Sequence, residues 1–362
     1  MPIRRRLLLP ICLILIAGSA MRAAAQTIPD RLSDVIFWSM SVEASEEDGT
    51  FRSDNLLSNE MYFQYVIPDL VKTAKSGRIY MGVGPEQNFT YMVALKPKMA
   101  FIVDIRRGNK DLHLMYKALF EMSKDRADFV GLLFSRKRPD GLTTKSTAKE
   151  IFDAYMDIPG SEELYKANLK AIDDLLIKKH GFKLSPLDVS GIEYVYENFY
   201  NFGPTINYGS SGNGGFGGRG FGGTNYATLM GATDMDGEAR GYLANEDNFN
   251  FLKDLEARNM VVPVIGNFAG PTAIRSVGKY IRQMDGVVSA FYLSNVEDYL
   301  GGGLWTLFCE NVATLPLDQT STFIRSVRGG RYGGNASGYG RGGLNSDIGN
   351  MMSEVKSCSG GQ

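Results

Sequence analysis

Apolar residues in this chain alternate between short unbroken runs and three-and-four spacing, the mark of strands and helices taking turns. Residues 30–42 have helical spacing, and residues 60–72 read as a second helix after a polar, turn-rich stretch. Ile79 to Val83 is a short apolar strand; Gly82 and Gly84 bracket a tight turn, and Asn88 is placed to cap a helix running to about Lys96, where Pro97 stops it. Met99 to Ile105 is an apolar run interrupted only by the charge of Asp104 near its end, the pattern of a buried parallel strand.

From Asp111 to about His180 the spacing is mostly helical, and residues 186–202 crowd Tyr194, Tyr196, Phe199, Tyr200 and Phe202 in a way that suits packing of a helix face. A glycine-rich stretch at residues 209–224 interrupts this, with too few apolar side chains to offset its ordering entropy, so a flexible loop is expected. Strand and helix patterns then resume: helix around 248–259, strand to Gly266, helix from Pro271, strand to Ser294, helix to Pro316, and a last short strand near residues 321–327. The expected fold is α/β, a doubly wound, mostly parallel Rossmann-like sheet carrying a large, mainly helical insertion over about 108–257. A second glycine-rich tract opens residues 328–362, expected to be a disordered tail.

In such a sheet ligands bind at the carboxyl ends of the strands, so the chemistry-bearing residues are those at the ends. Gly82 and Gly84 either admit a ligand to the backbone or let the helix pack closely. Asp104 stands 22 positions after Gly82 and can accept the hydroxyl hydrogens of a ribose, or pair with Arg106 or Arg107. Asn267, Ser294 and Asn295 offer amide and hydroxyl groups at two further strand ends. His113, one turn into a helix, reads as structural. The polar cluster at residues 51–60 reads either as a lid over the pocket or as an ordinary turn with a helix cap at Ser58.

Strand, Gly-x-Gly turn, helix and strand ending in an acid resemble the nucleotide half of class I methyltransferases that use S-adenosylmethionine. The resemblance covers residues 78–107 and about 258–327. The stretch GVGPEQNFTY with KPKMAFIVDIRR also resembles an uncharacterised bacterial family with a methyltransferase-like Rossmann fold. By that likeness Gly82, Gly84 and Asp104 meet the cofactor and Asn295 sits among acceptor-orienting groups. Glu86 replaces the usual third glycine of the turn. Its carboxylate at a helix amino terminus disfavours a dinucleotide pyrophosphate more than S-adenosylmethionine, so NAD is the weaker cofactor expectation. A ligand set of Gly82, Gly84, Glu86, Asn88, Asp104, Asn267, Ser294 and Asn295 follows, with a small nucleoside-like or other polar molecule as its partner.

The amino terminus changes the address of that site. Arg4, Arg5 and Arg6, an apolar run to Ala20 and the small residues before Gln26 form the three parts of a secretory signal, placing the protein outside the cytoplasm, away from the supply of S-adenosylmethionine. Cleavage after Ala25 leaves 35 basic and 40 acidic side chains, a formal charge of −5 that provides no basic field for nucleic acid or anionic membrane. Cys309 and Cys358 remain and are free to pair. With two histidines no conventional zinc site is expected, and no Gly-x-Ser-x-Gly elbow supports a hydrolase. Three functions stay open: polar-ligand binding, methyl transfer, and a non-catalytic structural or interaction role.

Overall fold

A computed structural model describes residues 27–210, 224–329, 331 and 344–359. The segments expected to be a signal (1–25) and most of both glycine-rich tracts lie outside the described residues. Helices α1 (Asp34–Glu43) and α2 (Ile67–Thr73) precede β1 (Ile79–Gly82), α3 (Gln87–Leu95) and β2 (Met99–Asp104). A helical block follows: α4 (Arg107–Met122), α5 (Arg126–Leu133), α6 (Ala148–Met156), α7 (Glu162–Asp173), α8 (Pro186–Phe202), α9 (Tyr226–Met230) and α10 (Glu246–Ala257). Then come β3 (Val261–Ile265), α11 (Ala273–Gln283), β4 (Val288–Ser294), α12 (Gly303–Ala313), β5 (Thr322–Arg328), β6 (Leu344–Asn350) and α13 (Met351–Ser359).

The strands form one sheet in the order β3-β2-β1-β4-β5-β6. The first five are parallel and β6 runs antiparallel to β5. Every residue of β1, β2 and β3 is buried, which explains why their sequences read as continuous apolar runs. Pro263 interrupts the ladder of β3 without harm because β3 is an edge strand. The α1 end of the chain covers that edge: Ser41 Oγ donates to the Pro263 carbonyl at 2.5 Å, and the Ile265 N–H donates to Ser45 Oγ at 2.8 Å. The fold is thus the expected doubly wound, mostly parallel α/β sheet with a large helical insertion.

Within that insertion α4 is buried from Asn109 to Phe120, lying between the sheet and α8. Ser185 and Asp188 form a capping box at the start of α8, which fixes where that helix begins. Of its aromatics, Tyr196 and Phe199 are buried, Tyr200 stacks on Tyr165, and Tyr194 and Phe202 face solvent. Packing therefore accounts for most of the cluster.

Three expectations change. Residues 60–72 are not one helix, since turns occupy 61–66 and α2 starts at Ile67. Asn88 caps nothing; it sits inside α3, whose amino-terminal cap position is Glu86. Residues 344–359, expected within a disordered tail, form β6 and α13, because pairing along the free edge of β5 supplies the order that their own composition does not.

Cys309 of α12 and Cys358 of α13 are joined in a disulfide across a sequence separation of 49 residues. Closing a loop of that length removes unfolded-chain entropy worth about 2 to 4 kcal/mol. Cys309→Ala with Cys358→Ala is therefore expected to lower the unfolding free energy by about that amount, read from urea denaturation. A loss under about 0.5 kcal/mol would show that α13 is anchored without it.

Candidate functional site

The strand order reverses at β1, which pairs with β2 on one side and β4 on the other. The crevice of a doubly wound sheet lies at the carboxyl ends on either side of this switch. Here it is filled by the chain itself. Residues 44–60 run as an irregular strap across the ends of β3, β2, β1 and β4 in turn.

At β3, the Glu46 N–H donates to the Ile265 carbonyl at 2.8 Å. The Glu46 carboxylate accepts the N–H groups of Asn267, Thr272 and Ala273, all within 2.9 Å, at the entry to α11. A carboxylate is favoured there because unpaired N–H groups and the helix dipole both point at it. Gly270 leaves room for that carboxylate: a Cβ on it would stand 2.1 Å from Glu46 Oε2 and push the side chain aside. At β2, Asp48 Oδ1 accepts the Arg107 N–H at 2.7 Å where α4 starts, and the Gly49 N–H donates to the Ile105 carbonyl at 2.8 Å.

Asp104 ends β2 as expected, but its carboxylate is occupied. Arg106 grips it with two bonds, Nε to Oδ1 at 2.9 Å and Nη2 to Oδ2 at 2.7 Å. Both residues are buried, with 3% and 9% of their surface exposed. Nη1 of Arg106 turns to the strap and donates to the carbonyls of Ser53 and Asp54. The expected alternative, in which Asp104 pairs with Arg106, is the contact found.

At β1 the turn is closed from within. Gly84 holds a left-handed φ of +76°, a conformation that favours glycine. The Asn88 amide donates to the carbonyls of Val83, Gly84 and Pro85, while its oxygen accepts the Tyr80 hydroxyl at 2.8 Å. A Cβ on Gly82 would stand 1.8 Å from that Asn88 oxygen, so Gly82 makes room for Asn88. His113 fastens the turn from α4, its Nε2 lying 2.9 Å from the Gly84 carbonyl. Burial lowers His113 to about 4, leaving a neutral ring against Phe89.

Glu86 is fully buried, with Oε1 accepting the Ser58 N–H at 3.2 Å and Oε2 without a hydrogen-bond partner. Burial raises it to about 8; the Ser58 N–H works against the shift and the charge of Glu60 adds to it. Glu60, expected to open a helix, instead reaches across to β4. Its carboxylate accepts Gln87 Nε2 at 2.9 Å, the Tyr292 hydroxyl at 2.7 Å and the Ser294 hydroxyl at 2.5 Å. Gln87 also donates to the Tyr292 hydroxyl, so the cluster is a closed relay. Burial raises Glu60, and the donors Ser294, Tyr292 and Gln87 oppose the rise. Ser294 holds a left-handed φ of +50° at a register shift in β4, a strained conformation for a residue that is not glycine.

The eight expected site residues are thus all at strand ends, yet they do not form one open pocket. Gly82, Gly84, Glu86 and Asn88 build the β1 turn, Asp104 is held by Arg106, Asn267 by Glu46, and Ser294 by Glu60. The Asn295 carbonyl accepts the Asp298 N–H in the turn beyond. Residues 51–60 cross the strand ends with Leu56, Leu57, Ser58 and Glu60 buried, so they are not a polar lid over an open pocket, and Ser58 caps no helix; its hydroxyl accepts the Glu60 N–H at 3.0 Å. Sequence reasoning passed over Glu46, Gln87 and Tyr292 as participants; it named Arg106 as an alternative partner of Asp104 and took Glu60 only as part of the 51–60 cluster. A cleft of about 320 Å³ lies elsewhere, between α12, α13 and β5, lined by Trp305, Phe308, Phe323 and Arg325 among others. Among the described residues no cluster of three or more metal-ligating side chains occurs, and no helix is long and apolar enough to cross a membrane.

A family profile described as "Domain of unknown function (DUF7790)" matches residues 56–178 and 225–344, more than half of the chain. The chain belongs to this family. The DUF7790 match begins at Leu56 and ends at Leu344, so it takes in Ser58, Glu60 and the five parallel strands, and leaves out the outer strap with Glu46 and Asp48 and all of β6 but its first residue. It also skips the first glycine-rich tract. No curated protein matches the chain.

Proposed function

We propose that this DUF7790 protein is exported and acts without catalysis, on a methyltransferase-like frame whose cofactor crevice has been given over to the chain's own strap. One observation carries the reading: the acid that would bind a ribose, Asp104, is buried and gripped by Arg106 beneath Ser53 and Asp54. The expected signal at residues 1–25 supports the address, since a cytoplasmic cofactor is scarce outside the cell. Methyl transfer needs chiefly positioning, so it fails here for want of room at the strand ends, and the absence of a catalytic base does not bear on it.

Calorimetric titration of the chain from Gln26 onward with S-adenosylmethionine and S-adenosylhomocysteine is expected to give no saturable heat. Saturable binding that disappears in Asp104→Ala would overturn the reading. A second reading, binding of a nucleoside-like or other small polar molecule at the strand ends, draws support from Glu86 Oε2 and His113 Nδ1, two buried polar atoms left without hydrogen-bond partners. Such atoms are costly to keep unless something meets them.

A further inference from the structure

The strap has two halves of different character. Leu56, Leu57, Ser58 and Glu60 are buried and seat the inner half in the core. Residues 45–55 are mostly half-buried or exposed, have no helix or strand, and contribute one large apolar side chain, Phe51, which packs edge-on against the exposed Tyr299. Asn55, with a left-handed φ of +50°, lies at the junction. The outer half is therefore held by polar clasps, Glu46 on α11, Asp48 and Gly49 at the start of α4, and two carbonyls on Arg106. Elements with few buried apolar contacts are the ones that open locally at low cost.

What those clasps satisfy also states what the surface beneath prefers. Lifting the outer half frees the N–H groups of Asn267, Thr272, Ala273 and Arg107 and one nitrogen of Arg106, donors that outnumber the acceptors freed with them at the Ile265 and Ile105 carbonyls. Two are helix amino termini already shaped around a carboxylate, and Gly270 leaves the space for one. We propose that residues 45–55 are a displaceable latch over an anion-selective track, which a ligand bearing carboxylates or phosphates occupies when the latch lifts. This extends the closed-crevice reading and does not depend on whether S-adenosylmethionine binds.

Hydrogen exchange on the full chain tests it, with citrate as the probe and sodium chloride at matched ionic strength as the control. In the unaltered protein, residues 45–55 are expected to exchange at least about 100-fold faster than β1 and β4. Trypsin is expected to cut after the exposed Arg52 without global unfolding. Glu46→Ala exposes the amides of Asn267, Thr272 and Ala273, and citrate, not chloride, slows them again. In the unaltered protein citrate speeds the strap amides of Glu46 and Gly49. Exchange of residues 45–55 only together with β1 and β4 would overturn the latch. Failure of citrate to protect those three amides in Glu46→Ala would overturn the anion track.

Discussion

Arg106→Ala is expected to lower the unfolding free energy by about 3 to 5 kcal/mol, among the larger effects of any single substitution in this protein. The cost comes from what is left behind: Asp104 keeps its place at the end of β2 with neither water nor a cation to face it. The Ser53 and Asp54 carbonyls lose their shared donor at the same time. Arg106→Lys is expected to recover only part of the loss, since an ammonium cannot make the two-point grip on Oδ1 and Oδ2. Asp104→Asn combined with Arg106→Ala is expected to cost less than Arg106→Ala alone, because no charge is then stranded. Urea titrations of the four proteins decide the matter. A cost under about 1 kcal/mol for Arg106→Ala would place the pair in solvent and the strap off the strand ends.

The second large effect is in pH. Glu86 is raised to about 8 in the folded protein from an ordinary carboxylate value of 4.5. A group raised on folding contributes stability that is complete below the unfolded value and is lost as pH climbs through the folded one. Between about pH 4.5 and 8 the folded state should lose on the order of 1.4 kcal/mol per pH unit from this residue, up to about 3 to 5 kcal/mol in all. Glu86→Gln removes the titration and should stabilise the protein at pH 9 relative to its effect at pH 5. Burial raises Asp111 and Glu256 to about 8 as well, so a slope in the same direction persists in the variant and only its size changes. Glu121 runs the other way: burial would raise it, but bonds from His180 and Lys117 hold it at about 2. Its contribution is present above the unfolded value and is lost as pH falls toward 2. Melting temperatures of both proteins from pH 5 to 9 supply the check. Parallel curves would show that Glu86 meets solvent.

The parts of this fold that the sequence announces are those whose burial is continuous. Met99–Asp104 reads as a strand because both faces are covered and every position but the last is apolar. The helix-strand alternation after residue 245 is equally plain, for the same reason. Elements ordered by distant partners leave weaker traces. Leu344–Asn350 carries only Leu344 and Ile348 as large apolar residues, and becomes a strand by pairing with β5. Glu60 looks like a helix start until Tyr292 and Ser294, from the other end of the chain, take up its carboxylate. The strap was the hardest to foresee, because it is read by backbone N–H groups at helix entries, which belong to no residue type. Asp104 was found at the expected place, and the choice between ribose and Arg106 needed the side-chain geometry.

The relay at Glu60 has a consequence for how the molecule is made. Its members Glu60 and Tyr292 are 232 residues apart, and the central pairing of β1 with β4 spans almost the same interval. A chain that emerges amino terminus first must wait until most of its length is available before the middle of its sheet can close, and long-range parallel pairing of this kind is slow. The buried acid at residue 60 is left without its β4 partners throughout that wait. Assembly of this cluster is therefore expected late in folding, and any nascent form that stops before β4 leaves Glu60, the inner end of the strap, without its seat.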